Sequence, residues 1–313
     1  MNKKKENFHH VKASTQYKRE HKADYGHEKI EILYEDKDIV VINKPSGLLS
    51  VPYPGSKART ALEILEKMMR SKGSWSHSHR PFTVHRLDRD TSGVMMFALN
   101  EKIQQKIMKT WHKMVSERLY HAVAENPKDS SKILPDSGLI DDELAQNAFH
   151  VGYVPRSDEK VETVPARTHY RVLLRGKTHT LFELSLDTGK KNQIRAHLSS
   201  KGYPLAGDEN YRSHTDPFHR LALHARTLEF THPVSGEKMK FEVPEDKEWA
   251  AYVEKGDLHP EKPVWEIEKE EYAKIKKSGQ STTTDFSFQK NKNISKKSLR
   301  KMDFIAQGKF GKK

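Results

Sequence analysis

The sequence predicts an α+β domain built on a long mixed, mostly antiparallel sheet flanked by helices. Three observations predict it. Runs of strand length recur along the chain, segments with helical apolar spacing fall between them without strict alternation, and 313 residues suffice for one large core.

Ile30 to Tyr34 and Ile39 to Asn43 are β-rich runs, separated by the turn Glu35-Asp36-Lys37-Asp38 and closed by Lys44-Pro45-Ser46-Gly47, which reads as a hairpin. Thr60 to Arg70 carries Leu62, Ile64, Leu65 and Met68 at helical spacing, and Lys102 to Met114 repeats the pattern through Ile103, Ile107 and Trp111. Between them Val94 to Leu99 is uninterrupted apolar sequence, as expected for a buried strand. His169 to Leu174 and Leu221 to Phe230 read as strands, and Phe182, Leu184 and Leu186 share one face of another. After it, Thr188-Gly189 punctuates the start of a helix expected from Lys190 to Ser200. No internal repeat is visible.

Composition bounds the function. The chain has no cysteine, which removes disulfides, thiolate zinc sites and sulfur nucleophiles, and permits a reducing cytoplasm. No apolar run approaches the roughly 20 residues of a membrane span, so a cytoplasmic protein without membrane contact is expected. The net charge of +13 is unevenly spread. Residues 1–28 hold 7 Lys/Arg against 4 Asp/Glu, residues 274–313 hold 12 against 2, and the stretch between them is formally neutral. The expected organisation is a flexible polar segment over 1–28, a catalytic domain over 29–255 and a basic, largely flexible tail over 256–313. Such a tail attracts phosphates without reading sequence; a solvated solubility tail has the same composition.

Two clusters could carry chemistry. Val84-His85-Arg86-Leu87-Asp88-Arg89-Asp90-Thr91-Ser92-Gly93 ends against the buried strand, which puts its carboxylates and guanidinium groups at the edge of a core. A polar turn capping the strand explains the same residues. Asp187-Thr188-Gly189-Lys190-Lys191-Asn192-Gln193-Ile194-Arg195-Ala196-His197 is the second. On a helix Gln193 and His197 share a face, Ile194 and Leu198 mark the buried side, and Arg195 is pinned beside the core or snorkels to solvent.

These residues resemble a known family. His85-Arg86-Leu87-Asp88-Arg89-Asp90-Thr91-Ser92-Gly93 is similar to the His-Arg-Leu-Asp-x-x-Thr-Ser-Gly pattern of the RluA-type RNA pseudouridine synthases. Ile32-Leu33-Tyr34-Glu35-Asp36 with Asn43-Lys44-Pro45-Ser46-Gly47 resembles the family's first strand pair, and Arg118-Leu119-Tyr120-His121-Ala122-Val123 its tyrosine strand. Ala166-Arg167-Thr168-His169-Tyr170, Gly207-Asp208 with Tyr211, and Leu223-His224-Ala225 with His232-Pro233 continue the likeness in order, from about residue 29 to 245.

The resemblance implies an active site in a central cleft, with Asp88 as catalytic aspartate, Arg195 as its ion-pair partner and Tyr120 stacked on the target uracil. It places Arg86 in the gap left by the extruded base, and His85, Thr91, Lys190 and Gln193 at the RNA. No cofactor or metal is implied, and a monomer acting on a stem-loop of ribosomal or transfer RNA is expected. Residues 1–28 are too short for the extra RNA-binding domain that some members carry. The family's Thr-Gly-Arg-x-His-Gln-Ile-Arg pattern is altered here, since Lys190 replaces its arginine and Asn192 its histidine. A lysine supplies a point charge without a bidentate fork, which changes the local phosphate contact.

Two other function classes compete. A non-catalytic RNA-binding module would use the basic tail and leave Asp88 and Arg195 without purpose. Metal-dependent hydrolysis would use some of the 18 histidines, His77 and His79 among them, but no His-Glu-x-x-His helix is present.

Overall fold

The computed structural model describes residues 30–256 except 54, 57 and 149, together with Glu266 and Glu270. The segment expected to be flexible at 1–28, and nearly all of the tail expected over 256–313, lie outside the described residues.

The expected sheet is present, with ten strands. In chain order its strands and helices begin with β1 (Glu31–Glu35), β2 (Ile39–Lys44), α1 (Ala61–Lys72), β3 (Phe82–Thr83), β4 (Ser92–Ala98) and α2 (Glu101–Met114). They continue with β5 (Val115–Glu125), β6 (Ser137–Ile140), a small separate pair β7 (Ala145–Gln146) and β8 (Gly152–Tyr153), then β9 (Thr168–Arg175) and β10 (His179–Leu186). The last are α3 (Gln193–Ser200), β11 (Leu223–Thr231), β12 (Lys238–Glu242) and α4 (Glu248–Lys255). Strands run β1-β2-β4-β11-β5-β10-β9-β6 across the sheet, with β12 beside β11 and β3 beside β4. The pairing is antiparallel everywhere except between β11 and β4.

The continuous apolar run of β4 follows from burial on both faces, which removes the usual alternation. Met95, Phe97 and Leu99 pack with Val40, Ile42 and the α1 residues Leu65 and Met69. Val94, Met96 and Ala98 pack on the opposite side with Ile39, Val41 and the α2 residues Ile103 and Ile107. The other half of the sheet repeats this plan. Phe182 and Leu184 meet Ile194 and Leu198 of α3, while Val123 and Leu181 meet Trp249 and Val253 of α4. Helix α1 starts where the sequence expects, because Thr60 and Glu63 form a reciprocal capping box, a contribution of about 1 kcal/mol.

Helix α3 departs from expectation. It begins at Gln193, not Lys190, because Asn192 adopts a left-handed backbone (φ 58°) that the helix cannot propagate. Ile194 and Leu198 are buried as expected, but so is every other side chain from Gln193 to Leu198, so the face shared by Gln193 and His197 is covered too.

The two halves of the sheet meet at the parallel pairing of β4 with β11, where Ser92 and Gly93 lie opposite His224 and Ala225. Ser92 Oγ lies 2.7 Å from His224 Nδ1, and His224 Nε2 lies 2.9 Å from the Val243 carbonyl, so the ring receives from the serine and donates to the backbone. Gly93 is required here. Its φ is +112°, and a Cβ would sit 2.1 Å from the Ala225 carbonyl oxygen. Gly93→Ala should therefore cost at least about 3 kcal/mol. Gly236, equally left-handed but with nothing within 4 Å of a Cβ, supplies the control, with a loss of about 1 kcal/mol expected for Gly236→Ala. Urea midpoints of the two variants decide; equal losses would refute the packing argument.

Candidate active site

The loop that carries Asp88 is held by its backbone. Lys44 is fully buried, and its ammonium donates to the carbonyls of Pro45 (2.9 Å), Leu48 (2.7 Å) and Arg89 (2.9 Å). Gly47 N–H also donates to Arg89 O at 2.9 Å, Ser46 Oγ donates to Asp90 O at 2.7 Å, and Ser50 Oγ donates to Leu87 O at 2.7 Å. Thr91 N–H closes the turn on Asp88 O at 3.2 Å. The carbonyls from Leu87 to Asp90 thus all find donors, three of them from the segment 44–50, so the loop enters β4 in one conformation.

At its centre Asp88 keeps a side chain about one-fifth exposed. Its Oδ2 receives Asn192 Nδ2 at 2.6 Å and Arg195 Nη1 at 3.4 Å. The ion pair expected between Arg195 and Asp88 is present, but it is the weaker of two. Arg195 is gripped bidentately by Asp208, Nε to Oδ2 and Nη2 to Oδ1, both at 2.7 Å, with side-chain exposures of 7% and 1%. The Tyr211 ring lies 5.1 Å from the guanidinium carbon. Burial works against the charge on Arg195, but Asp208 first and Asp88 second outweigh it and lift the guanidinium well above its ordinary value. The cation is therefore permanent, and the snorkelling alternative is excluded.

Asp88 and Arg195 line a cleft of about 370 Å³. Tyr120, Arg118, Trp111, Met108 and Leu223 form much of its wall, with the turn Gly189 to Asn192 at one side. Tyr120 stands on β5 opposite Ala225 and Leu184 and packs on two core clusters, so it is both a core residue and a cleft residue. Burial raises its hydroxyl pKa; nearby Arg118 opposes the shift and Asp88 adds to it, so the phenol stays neutral. Arg86 is exposed at the cleft, and Lys190 is exposed on the turn.

The remaining expected contacts are differently employed. Gln193 is buried, and its amide is saturated within the protein. It accepts from Thr188 Oγ1 and Lys190 N–H and donates to Arg167 O and Thr168 Oγ1. An amide so committed holds the turn before α3 to β9. His85 tilts over Trp111 at 4.9 Å, and its Nε2 accepts from Met96 N–H at 3.0 Å. Burial, with help from Arg118, pushes its pKa down to about 3, so the ring is neutral. Thr91 is buried at the base of the cleft.

Sequence reasoning missed the work of Asp208, Asn192, Lys44 and Trp111. Asp208 offered a signal, an acid after glycine and three residues before an aromatic; Lys44 offered one as a cation closing an apolar strand. Of the histidines weighed for a metal, His79 bonds the Ser74 carbonyl and His77 packs on Trp75. Among the described residues the group with ligand spacing is Asp36, Asp38 and His232, where His232 Nε2 faces Asp36 at 3.0 Å and its Nδ1 accepts from two backbone N–H groups. No helix among the described residues is long and apolar enough to cross a membrane.

Comparison with known proteins places this arrangement. Residues 38–200 match the family described as RNA pseudouridylate synthase. The chain is 35% identical over 231 residues to the Bacillus subtilis protein named uncharacterized RNA pseudouridine synthase YlyB, covering 72% of each. It is 34% identical over 232 residues to ribosomal large subunit pseudouridine synthase D of Neisseria meningitidis serogroup B, covering 69% of this chain and 58% of that relative. Among solved structures, human RNA pseudouridylate synthase domain containing 4 superposes with a TM-score of 0.55 at 23% identity, over 70% of this chain and 90% of that one, which shows a common fold.

Two outcomes follow from the geometry. Asp208→Asn leaves a buried guanidinium half-paired, so a loss of about 3 to 5 kcal/mol is expected; a urea midpoint within error of wild type would contradict it. The neutral, half-buried His85 stabilises the fold fully above pH 6.5, and that contribution fades as pH falls toward 3, because the unfolded ring takes up a proton first. The thermal advantage of wild type over His85→Gln should accordingly shrink between pH 7.5 and 4.5. A gap that stays constant would count against a neutral ring.

Proposed function

Because this chain belongs to the RNA pseudouridylate synthase family, we propose that it converts uridine to pseudouridine in a stem-loop of ribosomal RNA, as a cytoplasmic monomer, with Asp88 as its catalytic carboxylate. The observation that carries the reading is an aspartate held on one oxygen by an amide and a guanidinium, beside an aromatic ring, in a cleft at the seam of the sheet. Ribosomal RNA is favoured over transfer RNA because the Neisseria relative is named for the large ribosomal subunit.

The reaction breaks the N1 glycosidic bond, turns the uracil and rejoins it to the sugar through C5, with the C5 proton passing to solvent and N1 taking up a proton in its place. Product and substrate are isomers, so the chemistry is demanding in orientation and charge and consumes nothing. A carboxylate serves it as nucleophile or base, and Arg195 sets an opposite charge 3.4 Å from Asp88 Oδ2. A stacked uracil must first leave its helix, at a cost of a few kcal/mol. Tyr120 as a stacking platform returns about 1 to 3 kcal/mol, and Arg86, exposed at the lip, offsets more by filling the vacated gap. Lys190 supplies a phosphate contact as a point charge.

Asp88→Asn tests this directly. With RNA tritiated at uracil C5, label release should fall on the order of 10³-fold or more, while RNA affinity stays within about threefold of wild type. Equal binding by both proteins with release from neither would favour a non-catalytic RNA-binding module.

A further inference from the structure

Asn192 occupies the N-cap of α3, where an asparagine ordinarily accepts a hydrogen bond from the first turn, yet its side chain makes no such bond. Its backbone is left-handed, an uncommon state for a residue other than glycine. The side chain is turned toward Asp88 instead. The amide Nδ2 reaches Asp88 Oδ2 at 2.6 Å, well inside the 3.4 Å of Arg195 Nη1 on the same oxygen. Arg195 cannot close that gap while Asp208 holds Nε and Nη2.

We propose that Asn192 is the positioning residue that orients the catalytic carboxylate, fixing Oδ2 so that Oδ1 of Asp88 is the oxygen presented to the uridine. Among the described residues Oδ1 has no hydrogen-bond partner, whereas Oδ2 has two. The amide is itself aimed. Gly152 N–H donates to Asn192 Oδ1 at 3.4 Å, the Gly152 carbonyl accepts from Tyr211 Oη, and the Tyr211 ring lies against Arg195. These contacts close a ring from Asp88 through Asn192, Gly152, Tyr211 and Arg195 back to Asp88. Gly152 is fitted to the turn, since a Cβ there would lie 2.3 Å from the Lys191 carbonyl oxygen. A neutral donor also suits the task. Asp88 already faces the positive charge of Arg195, with Arg86 and Lys191 near, and another cation would hold the carboxylate without leaving it free to react.

The proposal rests on the pseudouridine synthase reading, and the full-length protein with C5-tritiated RNA separates the two. Glycine suits the left-handed backbone, so Asn192→Gly removes the amide and keeps the turn. Its kcat should fall on the order of 10- to 100-fold, with KM within about threefold and an unchanged melting temperature. Asn192→His, which restores an N–H donor, should recover part of that loss. If wild type is active, Asp88→Asn is dead and Asn192→Gly turns over within twofold of wild type, the role of Asn192 falls and the functional reading stands. A variant whose KM or melting temperature moves as far as its kcat would show a structural role and overturn the proposal too. If wild type and Asp88→Asn release equally little label, the functional reading falls and the proposal with it.

Discussion

One buried guanidinium shared by two carboxylates governs this site. Arg195 is claimed by Asp208 through two short parallel bonds and offers Asp88 only its remaining nitrogen, at 3.4 Å. The inequality matters. A tight bidentate pair would lock both oxygens of Asp88, while an unpaired carboxylate there would have nothing to orient it. Asp208 anchors the cation, so the field reaches Asp88 without a full pairing, and a neutral amide supplies the short hydrogen bond instead.

That balance requires two segments more than a hundred residues apart to be registered closely. The Asp88 loop is fixed from below by Lys44, Ser46, Gly47 and Ser50, which take up its carbonyls, and by Gly93, which lets β4 approach β11. Arg195 is fixed by the burial of the whole of α3 and by Gln193, whose amide ties the helix start to Arg167, Thr168, Thr188 and Lys190. Gln193 thus holds the scaffold, while Arg86 and Lys190 stay exposed at the cleft.

The sheet was legible in the sequence because burial leaves a pattern. A strand covered on both faces reads as Val94 to Leu99 does, and α1 shows in the helical spacing of Leu62, Ile64, Leu65 and Met68. Asp88, Tyr120 and Arg195 were legible through an ordered set of short motifs. Asp208 stood in one of those motifs without a visible task, since pairing between positions 195 and 208 depends on how the chain folds back after α3. The start of α3 was misplaced because apolar periodicity carries no mark of a left-handed residue, and Lys44 passed as turn punctuation because the catalytic-loop carbonyl among the three it serves lies 45 positions onward, at Arg89.

The left-handed turn at residue 192 acts as a filter on sequence drift. Most side chains are excluded there by their own Cβ; asparagine, aspartate, histidine and glycine are the types best able to enter. Of these, glycine has no donor and aspartate would repel Asp88. Asparagine and histidine remain, and they are the residues that stand at this position in this chain and in the motif it resembles, so the departure from that motif is a move between the two survivors of one backbone constraint.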